Sequence, residues 1–353
     1  MPWVRFGTYP LLTNLLVFTA AGLIVWFAGV RLSTYADALT VRTRLSQAFL
    51  GIALLGIATS LAEVATTISA ALIGNADLVS GNLFGGVAMQ ITVLAIVDLM
   101  VVRGALTYFT PSAVLLFQGA MLLLMLSLAL AGGALGEPIV IFGVGLTSMV
   151  LAGAYLMTLR ISKDDTYLPR WRPSDEPAPV SKPEKVEPEG VPEGRKLYWY
   201  IAAMVLLIFG GGWVLAQTGD AIAQQTNLGA GFVGAALLAA ATSLPELSTT
   251  ITAARQGNHE MAVSNILGTN CLEVALFFVG DLFYSQGAIL AEVNRSGFLA
   301  GTLGLVVTCI FLIGLLERRN RTVLGMGVDS LAVLIIYLAG LGGLYYVRNQ
   351  PGF

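Results

Sequence analysis

Histidine and cysteine are almost missing. The 353 residues hold one histidine, His259, and two cysteines, Cys271 and Cys309, both in apolar runs. That leaves no histidine metal cluster, no serine–histidine site and no disulfide framework. Charge is scarce as well: 11% of the residues are Asp, Glu, Lys or Arg, against about 25% in a soluble domain. Sixteen of those forty lie in residues 160–196. A soluble globular protein, a nucleic-acid binder and a charged disordered chain are excluded. The net charge of −2 carries no information about partners. With 56% hydrophobic residues, what remains is a multi-pass membrane protein.

A bilayer core takes about 20 mostly apolar residues per helix. Ten such runs are read at 11–30, 46–73, 78–101, 112–132, 138–159, 197–217, 230–254, 260–284, 296–316 and 325–347. The first has one upstream basic residue, Arg5, and no small-residue cleavage site, so it is expected to be a retained helix. The fold class expected is an all-α membrane protein. Residues 1–159 and 197–353 would each form five helices. Between them, 160–196 carries seven of the thirteen prolines with eight acids and eight bases, and reads as a flexible linker. Sixteen Lys and Arg fall in the loops on the linker's side and three (Arg5, Arg295, Arg348) on the other. The positive-inside rule puts the linker in the cytoplasm and both termini outside.

Residue n of the first half matches residue n + 183 of the second. Over 51–99 against 234–282, ungapped, 20 of 49 positions are identical. The matches include polar residues that shared apolar composition would not produce. Ala58-Thr59-Ser60-Leu61 meets Ala241-Thr242-Ser243-Leu244, Glu63 meets Glu246, Thr66-Thr67-Ile68 meets Thr249-Thr250-Ile251, and Asn82 and Gly85 meet Asn265 and Gly268. Five helices is an odd number, so the second half would enter from the opposite face. Such inverted repeats carry their site near the midplane where the repeats meet. Small residues such as Ala70, Ala71 and Gly74 serve helix packing. Packing does not explain a carboxylate inside each apolar run.

A charge at mid-span costs about 2.5–3.5 kcal/mol on insertion scales and is usually functional. Glu63 and Glu246 lie deep in the second and seventh runs, and Glu273 lies mid-run in the eighth, opposite Gln90 in the repeat. Asp98 and Asp281 also match, but near run ends from which they can reach the interface; a structural role is expected of them. Thr59 and Glu63, like Thr242 and Glu246, are four apart, on one helix face. Pro245 removes a backbone donor and frees a carbonyl near residue 241. Each half thus offers a carboxylate, a hydroxyl pair, loose carbonyls and one more oxygen side chain. Calcium takes six to eight oxygens in flexible geometry. The lack of thiolates and imidazoles argues against zinc or copper. A proton relay, or a purely structural carboxylate cluster, stays open.

At these residues the sequence resembles the cation/calcium exchanger superfamily, nearest the sodium/calcium exchanger type. Two motifs carry the resemblance: Thr59-Ser60-Leu61-Ala62-Glu63 with Gly81-Asn82-Leu83-Phe84-Gly85, and Thr242-Ser243-Leu244-Pro245-Glu246 with Ser264-Asn265-Ile266-Leu267-Gly268-Thr269-Asn270. The resemblance implies a core of the second, third, seventh and eighth helices around one calcium and several sodium sites. It implies Glu63 and Glu246 as calcium carboxylates, with carbonyls of Thr59 and Thr242. It implies hydroxyls of Ser60, Ser243 and Thr269 at sodium sites, and Gln90 and Glu273 where such exchangers often have Asn and Asp. Ala62 stands in place of a motif proline, Gly86 in place of a serine, and Val87 where the second half has Asn270. The first half has therefore lost oxygen ligands. Fewer sodium ions than usual are expected, and Gly86→Ser is expected to raise sodium dependence.

The expected function is antiport of calcium against sodium by alternating access in the cell membrane, with no cofactor and no catalysis. Its partners are calcium and sodium ions and the lipid bilayer, without nucleic acid, and the working unit is a monomer. The alternative is a proton-coupled calcium or monovalent-cation antiporter. Sodium sites need fixed hydroxyls and carbonyls, whereas proton coupling needs only a titratable group such as Glu273. An intramembrane protease needs a serine–histidine or two-aspartate site, but the sole histidine, His259, is expected in a cytoplasmic loop and no Gly-x-Gly-Asp run occurs; a channel fits paired repeats around a closed site less well.

Overall fold

A computed structural model of the chain describes residues 6–43, 58–102, 104–163 and 190–348. The chain is mostly helical. The α-helices, in chain order, are α1 Leu11–Thr43, α2 Leu61–Leu72, α3 Ala76–Val97, α4 Ala113–Ala134, α5 Leu146–Lys163 and α6 Arg195–Thr226. They continue with α7 Ala230–Thr242, α8 Leu244–Arg255, α9 His259–Phe283, α10 Arg295–Glu317 and α11 Val328–Val347. Two-residue strands form antiparallel hairpins before α5 (β1 Val140–Ile141, β2 Val144–Gly145) and before α11 (β3 Thr322–Val323, β4 Met326–Gly327).

Among the described residues, seven helices are long and apolar enough to cross a membrane, and α7 with α8, bent by 46° at their junction, makes an eighth. Two of the ten expected runs coincide with shorter helices, α2 and α5. The first part of the run that ends in α2 falls in 44–57, outside the described residues, as does 164–189 of the linker. The first run extends further than the apolar stretch suggested, so Arg31 lies within α1 rather than in a loop. His259, expected in a loop, is the first residue of α9 and packs on the Phe109 ring with centroids 5.7 Å apart.

Helices α3 and α9 form the buried centre. Two-thirds of the apolar window of each is inside the protein, and the Phe84 and Phe277 rings meet between them at 4.9 Å. Neither helix has the one-sided apolar stripe of a surface helix, as expected of buried spans. Gly81 and Gly85 let α7 lie directly on α3: a Cβ at Gly85 would come 2.7 Å from the Ala235 Cβ. Within α7 the turn Gly234–Leu238 widens to a π-helix, a local distortion frequent near functional sites. Helices α1 and α6 pair with each other and cross α8 and α2 through glycine: Gly29 abuts Pro245, and Gly212 abuts Ala65. Large apolar side chains such as Leu12, Leu23, Phe27, Trp199 and Leu206 are left exposed on their outer faces, as in a helix that faces lipid.

Candidate functional site

The site begins at two matching breaks. Ser60 precedes α2 at φ −79°, ψ 4°, and Ser243 precedes α8 at φ −81°, ψ 2°. Pro245 occupies the first turn of α8, where its missing N–H costs nothing. Glu63 and Glu246 stand in the first turns of α2 and α8. The open N–H groups and dipole of a helix start favour a carboxylate there.

All nine residues singled out from the sequence are buried: Thr59, Ser60, Glu63, Gln90, Thr242, Ser243, Glu246, Thr269 and Glu273. Both oxygens of Glu63 and of Glu246 are buried without a formed hydrogen bond, although the Thr59 hydroxyl lies beside Glu246. Glu63 is within electrostatic reach of both Glu246 and Glu273. Ser243 Oγ and Glu273 Oε1 are likewise buried and unpaired. An unsatisfied buried oxygen costs about 1–3 kcal/mol, more when charged. A cation among them would remove that cost. Among the described residues no three His, Cys, Asp or Glu side chains converge as one metal-binding group. The Thr242 hydroxyl turns back and donates to the Ala239 carbonyl at 3.3 Å.

The second part of the site is a hydrogen-bonded trio. Thr269 Oγ1 donates to Gln90 Oε1 at 2.9 Å, and Gln90 Nε2 donates to Glu273 Oε2 at 3.2 Å. Gly86 leaves the room that Glu273 occupies, since a Cβ there would come 2.6 Å from the Glu273 Cδ. A serine side chain at this position would meet the carboxyl group of Glu273 from the other half.

Several residues had drawn no role from the sequence. Asn82 Nδ2 donates to Thr66 Oγ1 at 3.2 Å, and Asn265 Nδ2 to Thr249 Oγ1 at 3.3 Å. Thr66 in turn reaches the Glu63 carbonyl at 3.1 Å and Thr249 the Glu246 carbonyl at 3.1 Å. Each asparagine thereby fixes the turn that bears the carboxylate. Thr67, Thr250 and Asn270 are buried with unpaired side-chain atoms. Identity between the halves marked all of these except Asn270. A polar cavity of about 350 Å³ lies elsewhere, at the α2–α3 turn, lined by Asn75, Asp77, Asp220 and Glu292 among others.

The model of the family described as sodium/calcium exchanger protein matches residues 13–162 and 196–343. The protein called CaxA of Alkalimonas amylolytica is 24% identical over 316 residues, 88% of this chain and 93% of that one. The solved structure of the H+/Ca2+ exchanger CAX superposes with a TM-score of 0.65 at 15% identity, covering 96% of this chain and 85% of that one. The sodium-calcium exchanger NCX_Mj gives 0.57 at 17% identity, covering 95% of this chain and 100% of that one.

Proposed function

The chain belongs to the sodium/calcium exchanger protein family, and from that premise we propose that it exchanges calcium for sodium across the cell membrane by alternating access. Ten helices in two inverted sets of five, residues 1–159 and 197–353, would be joined by a cytoplasmic linker. One observation carries the reading. In matching positions of the two halves, Glu63 and Glu246 hold four buried carboxylate oxygens at the starts of broken helices. Stripping water from a divalent cation is offset by two full charges, and the carbonyls of Thr59 and Thr242 extend the oxygen shell. Ser60, Ser243 and Thr269 offer hydroxyls for the counter-ion, beside Gln90 and Glu273. When sodium enters these positions, its charge competes with calcium for the same carboxylates, which couples the two fluxes.

Proton coupling is the second reading. Gly86 supplies no hydroxyl, and Glu273 has a free oxygen that can take a proton. One of the similar structures is of an H+/Ca2+ exchanger. Calcium uptake into everted vesicles, driven first by a sodium gradient and then by a pH gradient, separates the two. Sodium-driven uptake lost in both Glu63→Gln and Glu246→Gln is the expected result. Undiminished calcium flux in either variant, at normal expression, overturns the assignment of the pair.

A further inference from the structure

Asp98 and Asp281 stand eight residues beyond Gln90 and Glu273 on the same two helical segments. Both are buried, with the side chain directed into the protein. Each accepts the same three hydrogen bonds. Asp98 Oδ1 accepts from the Leu106 N–H at 3.1 Å. Its Oδ2 accepts from the Gly327 N–H at 2.9 Å and the Ser330 hydroxyl at 2.5 Å. Asp281 Oδ1 accepts from the Ile289 N–H at 2.8 Å. Its Oδ2 accepts from the Gly145 N–H at 2.9 Å and the Ser148 hydroxyl at 2.5 Å. Gly327 ends the β3–β4 hairpin and Gly145 the β1–β2 hairpin. A carboxylate at the end of the first half's central helix therefore clasps the hairpin of the second half, and the reverse holds at the other end.

Three donors facing one side chain call for an acceptor-only group. An asparagine keeps one acceptor oxygen and would turn its NH2 against at least one of them. Charge-assisted bonds of this kind offset the desolvation of a buried carboxylate. Geometry ties the clasps to the site. Eight helical residues span about 12 Å, and a helix transmits an axial displacement along its length. On α9, Glu273 lies against Gly86 of the opposite half. Inverted repeats reach their second conformation by exchanging the arrangements of the two halves. A contact made alike in both halves is unchanged by that exchange.

We propose that Asp98 and Asp281 are positioning residues, two latches that stay closed through the transport cycle and hold the ligand-bearing helices α3 and α9 in axial register with the opposite half. The proposal rests on the inverted-repeat antiporter reading.

The test uses the full chain with Cys271 and Cys309 replaced by alanine. Asp98→Asn and Asp281→Asn are each expected to raise the calcium KM about tenfold or more, with a smaller fall in turnover. The pair Asp98→Cys with Ser330→Cys restores the tie covalently. Reduced, it should be as impaired as Asp98→Asn; oxidised, its KM should return to within about threefold of the parent, with turnover retained. Folded Asn variants with parental KM overturn the proposal. So does an oxidised pair that is folded but does not transport, because the latch then has to open. If the Asn variants fail to fold, the oxidised pair decides alone. A parent without calcium flux under either gradient sinks the antiporter reading instead. In that case the melting temperature judges the tie: Asp98→Asn and Asp281→Asn variants that melt with the parent remove it.

Discussion

Gly86 and Glu273 share one space: the carboxylate of the second half rests on the bare backbone of the first. The matching contact, 183 residues displaced in each partner, is between Thr269 and Gln90, and there a hydroxyl and an amide meet at 2.9 Å. The two halves therefore solve one packing problem in two ways. One uses a small residue against a carboxyl group, the other a hydroxyl against an amide. The Gln90–Glu273 hydrogen bond joins the two solutions.

A serine at position 86 has to displace Glu273 rather than add a ligand beside it. Overpacking of a filled interior costs about 1–3 kcal/mol. Gly86→Ser should therefore lower the melting temperature in detergent and depress calcium flux. Adding Glu273→Asp draws the carboxylate back by one methylene and should recover most of both losses. Independent, additive effects of the two substitutions in a double-mutant cycle would remove the contact from the account.

Glu273→Gln tests what the third carboxylate does. The Gln90 amide can donate to a glutamine carbonyl as it does to Glu273, so the variant should fold. It loses only a charge and a proton acceptor. If protons compete with the counter-ion at Glu273, flux through the parent falls as the medium is acidified, and in the variant it becomes nearly flat. An equally steep pH profile in Glu273→Gln moves the titrating group elsewhere.

Much of this site could be read from the sequence because membrane burial makes polar residues conspicuous. The two glutamates, the threonine–serine pairs and Glu273 stood out against apolar runs, and the offset of 183 tied them together. Three features were not legible. The length of α1 was hidden because its apolar stretch ends before the helix does, near Arg31. The burial of Asp98 and Asp281 was hidden because their partners, Ser330 and Ser148, belong to the opposite half and have no local signal. The fit of Glu273 against Gly86 depends on side-chain reach across two helices, which spacing along one chain does not contain.

At the α2–α3 turn, Asn75 does two jobs. Its Oδ1 accepts the Leu78 N–H at 2.9 Å and caps α3, while its Nδ2 donates to Asp220 Oδ1 on α6 at 2.7 Å. Asn75→Asp keeps the cap but sets a carboxylate against Asp220. It should lower the melting temperature by an amount worth about 1 kcal/mol, the pair being partly exposed. Exchanging the two, Asn75→Asp with Asp220→Asn, restores a donor opposite an acceptor and should recover that loss. If the exchange is no more stable than Asn75→Asp alone, the tie between α6 and the turn contributes nothing.

The break before Glu63 has no proline, yet Ser60 has the same backbone geometry as Ser243, whose helix does. A break of this geometry therefore does not require proline. The fixed φ of proline suits the first turn of a helix and limits the unfolded chain, while its ring also packs against Gly29. Pro245→Ala should then keep the bend and the calcium site, and lose about 0.4–1 kcal/mol of stability. Ala62→Pro, at the matching position of α2, should fold and melt at or above the parent temperature. Calcium uptake close to parental in both variants is the expected result. Loss of uptake in a well-folded Pro245→Ala would mean that proline itself sets the bend that presents Glu246, and the equivalence of the two breaks would fall with it.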